Sequence, residues 1–135
     1  MTAKMFVNLP VEDLKKSMAF YEALGFAFNR QFTDDTAACM VVSEHNYAML
    51  LTHEKFRMFA TKPISDALKT TAVLIAISRD SKDAVDEMVE RALRAGGKEP
   101  RPKQDLGFMV QRTFEDLDGH TWEPFWMDPA HIQQG

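Results

Sequence analysis

Phe114-Glu-Asp-Leu-Asp-Gly-His-Thr-Trp-Glu123, close to the C-terminus, is the stretch on which the fold turns. Asp118-Gly119 is a two-residue hairpin signal, because glycine tolerates the positive φ of a tight primed turn. Strand-like runs flank it, Phe108 to Phe114 before and His120 to Met127 after. Glu123 therefore falls in an otherwise aromatic strand, beside Trp122, Phe125 and Trp126. A carboxylate so placed must face water, meet a partner, hold a metal or be neutralised by burial. Much of the question of function reduces to which of these holds.

Working outward from this hairpin, the same pattern appears twice. Met5 to Val11 reads as a strand, ended by Pro10 and Glu12-Asp13. Asp13 is a fair N-cap for a helix carrying Leu14, Met18, Tyr21 and Leu24 at helical spacing, closed by Gly25. Three β-like runs follow, Phe26 to Phe32, Ala37 to Ser43 and Tyr47 to Thr52, with Glu44-His45-Asn46 as a hairpin loop. The second pass opens with a strand over Thr71 to Ser78. Ser81 then caps a helix whose Val85, Met88, Val89, Ala92 and Leu93 form the clearest apolar stripe in the chain, stopped by Gly96-Gly97. Lys98 to Arg101 reads as a short strand broken by Pro100 and Pro102. Phe108 to Asp116 and His120 to Met127 complete it. The segment Glu54 to Lys69 between the two halves is amphipathic enough for a short helix.

The expected fold class is α+β: two tandem βαβββ modules packed into one pseudo-symmetric domain. A single domain over residues 1–135 is expected, with module 1 at about 1–55, a linker at about 56–69 and module 2 at about 70–131. The chain is 45% apolar, which supports a real core, and its net charge of −4 argues against nucleic acid as a main partner. The single cysteine, Cys39, excludes an intramolecular disulfide and sits in an apolar run, where it reads as a small core residue. No apolar run is long enough to span a bilayer, and no secretory segment is recognisable, so a cytoplasmic location is expected.

The opening Phe6-Val-Asn-Leu-Pro-Val-Glu-Asp-Leu14, the following Ala19-Phe-Tyr-Glu-Ala-Leu-Gly25 and the ending Asp116-Leu-Asp-Gly-His-Thr-Trp-Glu123 resemble the vicinal oxygen chelate superfamily. This is the group of glyoxalases, bleomycin resistance proteins and extradiol dioxygenases, and the likeness covers nearly the whole chain. It implies modules forming a curled mixed sheet, with a cup for ligand or metal, and a homodimer. Family enzymes such as glyoxalase I hold a divalent metal through His and Glu side chains on the first and last strands of each module. The matching places here are Phe6, Leu50, Leu74 and Glu123. Three of these are apolar and have no lone pair to give a cation, and one carboxylate with water does not define a transition-metal site. No cofactor is therefore expected, and a divalent metal lacks its ligands.

Strand alternation gives the rest of the expected cup. With Phe6, Leu50, Leu74 and Glu123 turned inward, Asn8, Thr52, Ser78, Thr121 and Phe125 follow, together with Ala48 and Ala76. Such a lining suits a small-molecule pocket, although the same side chains would also fill a closed core. Glu123 has three readings: a general base, an acceptor for a ligand's amine or hydroxyl, or a structural residue paired with Asn8 or Arg112. Trp122 and Trp126 project to the opposite face, toward helices or a second subunit. His45, His53, His120 and His131 lack the spacing of a metal site and read as surface or turn residues. The leading expectation is a metal-free binder of a small apolar or aromatic molecule. The alternatives are a lyase, isomerase or dioxygenase with an unusual site using Glu123, and a non-catalytic interaction domain.

Overall fold

Asp13 ends one element and begins the next: its carboxylate accepts a hydrogen bond from the Lys16 amide at 3.1 Å and so caps the first helix. The structure is a computed structural model and describes residues 2–131. The elements are β1 (Met5–Val11), α1 (Leu14–Ala23), β2 (Ala27–Asn29), β3 (Ala37–Val41), β4 (Asn46–Thr52), α2 (His53–Phe59), β5 (Leu74–Ser78), α3 (Lys82–Arg94), β6 (Gln104–Asp105), β7 (Met109–Gln111), β8 (Phe114–Glu115) and β9 (Thr121–Met127). The chain divides into two compact units between Thr70 and Thr71. Each unit has a mixed sheet: β1-β4-β3-β2 in the first, and β5-β9-β7-β6 with β8 also on β9 in the second. The α+β class is as expected, and the first unit keeps the βαβββ order; in the second, four strands follow the helix. Among the described residues no helix is long and apolar enough to cross a membrane.

In the first unit β1 runs parallel to β4, and β4 antiparallel to β3. One sheet face carries Leu9, Val11, Ala38, Met40, Ala48 and Leu50, all buried, and α1 packs on this side. Its core residues are Leu14, Ser17, Phe20, Tyr21 and Leu24. Ser17 and Phe20 thus occupy the place expected of Met18, which is only half-buried. The expected strand over Phe26 to Phe32 shortens to Ala27–Asn29, because the Asn29 carboxamide caps a 3₁₀ turn at the Gln31 amide, 3.0 Å away.

In the second unit Ser81 caps α3, its hydroxyl accepting from the Ala84 amide at 3.0 Å. Val85, Met88, Val89 and Ala92 are buried on the side that faces β7, β8 and β9. Phe114 and Trp122 lie directly opposite one another across β8 and β9, their rings parallel with centroids 6.3 Å apart. Trp122 is thus a core residue, and Trp126 carries the Lys82 ammonium 5.4 Å above its ring. The long strand expected over Phe108 to Asp116 is split in two at Arg112-Thr113, and the expected Lys98 to Arg101 strand reduces to one bridge, Lys98 to Glu115.

The deciding hairpin differs from its expectation in turn chemistry. Among the described residues none other than glycine has positive φ, so Asp118 does not occupy a primed turn. Gly119 alone, at φ 87°, takes the left-handed position after a turn closed by its amide on the Asp116 carbonyl at 3.1 Å. This is a three-residue loop with a glycine bulge. The buried Asp116 carboxylate organises it, accepting from the Asp118 and His120 amides at 2.9 and 2.8 Å.

Candidate functional site

The parallel pairing of β5 with β9 decides what surrounds Glu123. Leu74 lies opposite Thr121, Ala76 opposite Glu123, and Ser78 opposite Phe125, so these six side chains share one sheet face. Their strand neighbours Ile75, Ile77, Trp122 and Pro124 point to the α3 side. Gln111 of β7 joins the Glu123 face through its pairing with Phe125. This face is not covered by α3. Leu74 remains 55% exposed, Ala76 and Ser78 are exposed, and Thr121, Glu123 and Phe125 are half-buried. The second unit therefore brings together Leu74, Ser78, Thr121, Glu123 and Phe125.

Among the described residues the Glu123 carboxylate makes no hydrogen bond or ion pair. Arg112, considered as its partner from the sequence, is committed on the other side of the sheet. Its Nε and Nη2 donate to Glu99 at 2.9 Å each, and its Nη1 donates to Asp86 and Glu90 at 3.0 and 3.1 Å. Asn8, the other considered partner, has its side-chain amide directed at the Phe6 carbonyl, at a long 3.4 Å. The nearest charges by strand pairing on the Glu123 face are Glu115, opposite Thr121, and Lys98, opposite Glu115. Glu123 is thus an acceptor without a protein partner among the described residues, open to water and flanked by apolar and hydroxyl side chains.

In the first unit the register corrects one part of the expected lining. Phe6 pairs with Tyr47, Asn8 with Met49 and Pro10 with Leu51, so these lie on the face away from α1. Phe6 and Tyr47 confirm it by stacking, with ring centroids 4.7 Å apart. Leu50 pairs with Leu9 and is fully buried on the α1 side. Thr52 belongs to that opposite face too, and its hydroxyl caps α2 by accepting from the Lys55 amide at 3.2 Å. Leu50 and Thr52 therefore do not share a face with Phe6 and Asn8; Tyr47, Met49 and Leu51 do. Nothing internal to the strand marks this one-residue phase shift, because Ala48-Met-Leu-Leu51 is apolar on both phases.

The sequence resemblance implies a divalent metal, and the donor groups present decide whether one fits. On the β1 and β4 face away from α1 the candidates are phenyl, carboxamide, phenol, thioether and isobutyl groups. Around Glu123 they are two hydroxyls and the Gln111 carboxamide, with the Glu115 carboxylate opposite Thr121. Two carboxylates with no imidazole or thiolate beside them do not make the His and Glu set that the sequence resemblance implies. Among the described residues no group of three or more His, Cys, Asp or Glu gathers. The histidines are dispersed: His45 lies 3.8 Å from Glu44, His53 opens α2, and His131 stacks on Phe108 at 4.4 Å. Cys39 is buried, and that burial pushes its thiol up, away from the reactive thiolate.

Residues 4–43 match the family described as bleomycin resistance protein-like N-terminal. Among curated proteins none matches the chain significantly. A solved structure of a hypothetical protein from S. aureus is similar at 27% identity, with a TM-score of 0.79, over 93% of this chain and 95% of that one. A glyoxalase-related enzyme from Fulvimarina pelagi is similar at 20% identity, with a TM-score of 0.77, over 93% of this chain and 87% of the other. The fosfomycin resistance protein FosX from Mesorhizobium loti is similar at 14% identity, with a TM-score of 0.70, over 96% of each chain.

Proposed function

We propose that this protein is a member of the vicinal oxygen chelate superfamily of glyoxalases, bleomycin resistance proteins and dioxygenases, and that it binds a small apolar or aromatic molecule without a metal; the match of residues 4–43 to the bleomycin resistance protein-like N-terminal family and the shared fold support the membership. One observation carries the reading: the unpaired Glu123 carboxylate on the face that α3 leaves uncovered, beside Leu74, Ala76 and Phe125. Its oxygens are not closed off from water, so a ligand donor that reaches them replaces water with a charge-assisted hydrogen bond in a partly shielded place. The apolar body of the ligand rests on Phe125, Ala76 and Leu74. Its N–H or O–H donates to Glu123, and the Ser78 and Thr121 hydroxyls fix its orientation. Sparse polar groups on an apolar wall are the usual make-up of such sites.

A homodimer is part of this proposal. Each unit leaves large apolar side chains in water around the start of its first strand, Met5 and Phe6 at 64 and 48% in the first and Val73 and Leu74 at 60 and 55% in the second, and a second subunit would cover such surface. A cytoplasmic location is likewise proposed, supported by the lone reduced Cys39 and the ordinary acidic balance.

The test is a calorimetric titration of arylamines and phenols into wild type and Glu123→Gln. A hydrogen bond to a charged acceptor is worth about 1.5–3 kcal/mol, so the variant should lose about tenfold or more in affinity. Metal analysis of untagged protein should find no stoichiometric Zn, Ni, Fe or Mn. Equal affinity in both proteins, or one equivalent of tightly held metal, contradicts the proposal.

A further inference from the structure

One corner of the second unit gathers two cations and an indole. Arg79 follows the last residue of β5, and its amide donates to the Phe125 carbonyl at 2.7 Å. The parallel register, with Ile75 opposite Trp122 and Ile77 opposite Pro124, thereby continues to Arg79 opposite Trp126. Lys82, the first residue of α3, holds its ammonium 5.4 Å above the Trp126 ring. We propose that Arg79 and Lys82 form, beside Trp126, a site for the phosphate group of a small molecule, on the α3 side of the sheet and using no residue of the Glu123 face.

Both cations are free to bind. Among the described residues the side-chain nitrogens of Arg79 and Lys82 make no hydrogen bond or ion pair. The Arg79 Nε is closed off from water as well, so packing fixes the root of the guanidinium. Its two Nη atoms are not closed off, and they meet solvent from a half-buried side chain. The fork is therefore held in place with its outer edge unoccupied, which lowers the ordering cost of gripping a ligand. Three acids lie close in sequence, and none takes up either cation. Asp80 and Asp83 stand exposed, and Asp128 accepts from the Ala130 amide at 2.9 Å.

The donors fix the class. A guanidinium presents its N–H groups in a flat fork that takes two oxygens of one oxyanion, and an ammonium is a compact charge for a third. A phosphate monoester offers three terminal oxygens and close to two negative charges at neutral pH. A carboxylate fills the fork alone and leaves Lys82 on the indole, so it matches the pair less well. To reach the phosphate, Lys82 gives up only a cation–π contact at an exposed place, which is weaker than the charge-assisted hydrogen bond it gains.

The probe is methyl phosphate, which carries no aryl group for the Glu123 face. It is titrated into the full chain at constant ionic strength and followed by NMR of the amides, the arginine Nε–H signals and the tryptophan indole N–H signals. A saturating shift should appear at the Arg79 Nε–H, the Trp126 indole and residues 79–83, with a millimolar or tighter dissociation constant. Arg79→Gln should bind about tenfold more weakly or worse, because it loses the charged fork. Arg79→Lys, which keeps the charge without the fork, should recover only part of that loss. Lys82→Gln, at an exposed position, should cost about threefold. Acetate, with one oxygen fewer and less charge, should bind more weakly than methyl phosphate. Glu123→Gln should bind the probe as wild type does. The proposal is overturned by the absence of a saturating shift at these groups with tens of millimolar probe. It is equally overturned by undiminished binding in Arg79→Gln or Lys82→Gln with the amide spectrum otherwise intact, by full recovery in Arg79→Lys, by equal affinity for acetate, or by a matching loss in Glu123→Gln, which would assign the probe to the other face.

Discussion

Replacing Arg112 by methionine removes the cation that keeps the acids of the second unit in place. The Arg112 side chain is only 10% exposed, while Glu99, Asp86 and Glu90 are 22, 36 and 52% exposed. The fork onto Glu99 is bidentate and mostly shielded, and it contributes about 2 kcal/mol. The bonds to the more exposed Asp86 and Glu90 add about 0.5 kcal/mol each, as water screens them. Removing the cation also leaves Glu99 half-buried without a partner and facing two other acids, while the methionine stem retains most of the packing. The expected loss is about 3 kcal/mol, or a fall in Tm of roughly 10 °C for a chain of this size. Urea unfolding and calorimetry measure it directly. Adding Glu99→Gln to Arg112→Met should recover part of the loss, because it removes the orphaned charge. A loss below about 1 kcal/mol, or no recovery in the double variant, would refute the claim that Arg112 is committed to this network. It would then be free to serve Glu123.

Two further outcomes follow from particular residues. Leu50→Ala should destabilise by about 2–4 kcal/mol, as expected for a fully buried leucine, whereas Met49→Ala on the opposite face should cost less than about 1.5 kcal/mol; reversed costs in urea unfolding would mean the register is wrong. Burial pushes the Asp86 carboxyl up, but the bonds from Arg112 and Lys103 outweigh it and hold the group below its ordinary value of 3.8. Its contribution is therefore present above that pH and is lost as pH falls through the lowered value, so the stability gap between wild type and Asp86→Asn should narrow as the pH is taken below about 3.8. A gap that stays unchanged in pH-dependent unfolding from neutral pH to well below that value would contradict this.

Much of the fold was legible because its signals are local. Asp13 and Ser81 cap their helices by single side-chain bonds, and the stripe of Val85, Met88, Val89 and Ala92 buries as its spacing requires. The β5 and β9 faces were also readable, since Glu123 and Phe125 alternate with the buried Trp122 and Pro124. What escaped was set by tertiary pairing. The phase of β4 depends on its register with β1, which an all-apolar run does not encode. The break at Arg112-Thr113 depends on an arginine turned toward α3, and its acidic partners lie 13 to 26 residues away in sequence. The deciding hairpin was placed correctly but given the wrong turn, because the Asp116 carboxylate, not positive φ at Asp118, closes it.

The most direct test of the central claim is amide and side-chain shift mapping with a ligand found by titration against the wild-type chain. The two faces of β5 and β9 alternate residue by residue, so the same strands report both. The account predicts perturbation of Leu74, Ala76, Ser78, Thr121, Glu123 and Phe125, with the Glu123 side-chain carboxyl signal moving most. Shifts concentrated instead on Ile75, Ile77, Trp122 and Trp126, with the Glu123 carboxyl unmoved, would contradict it.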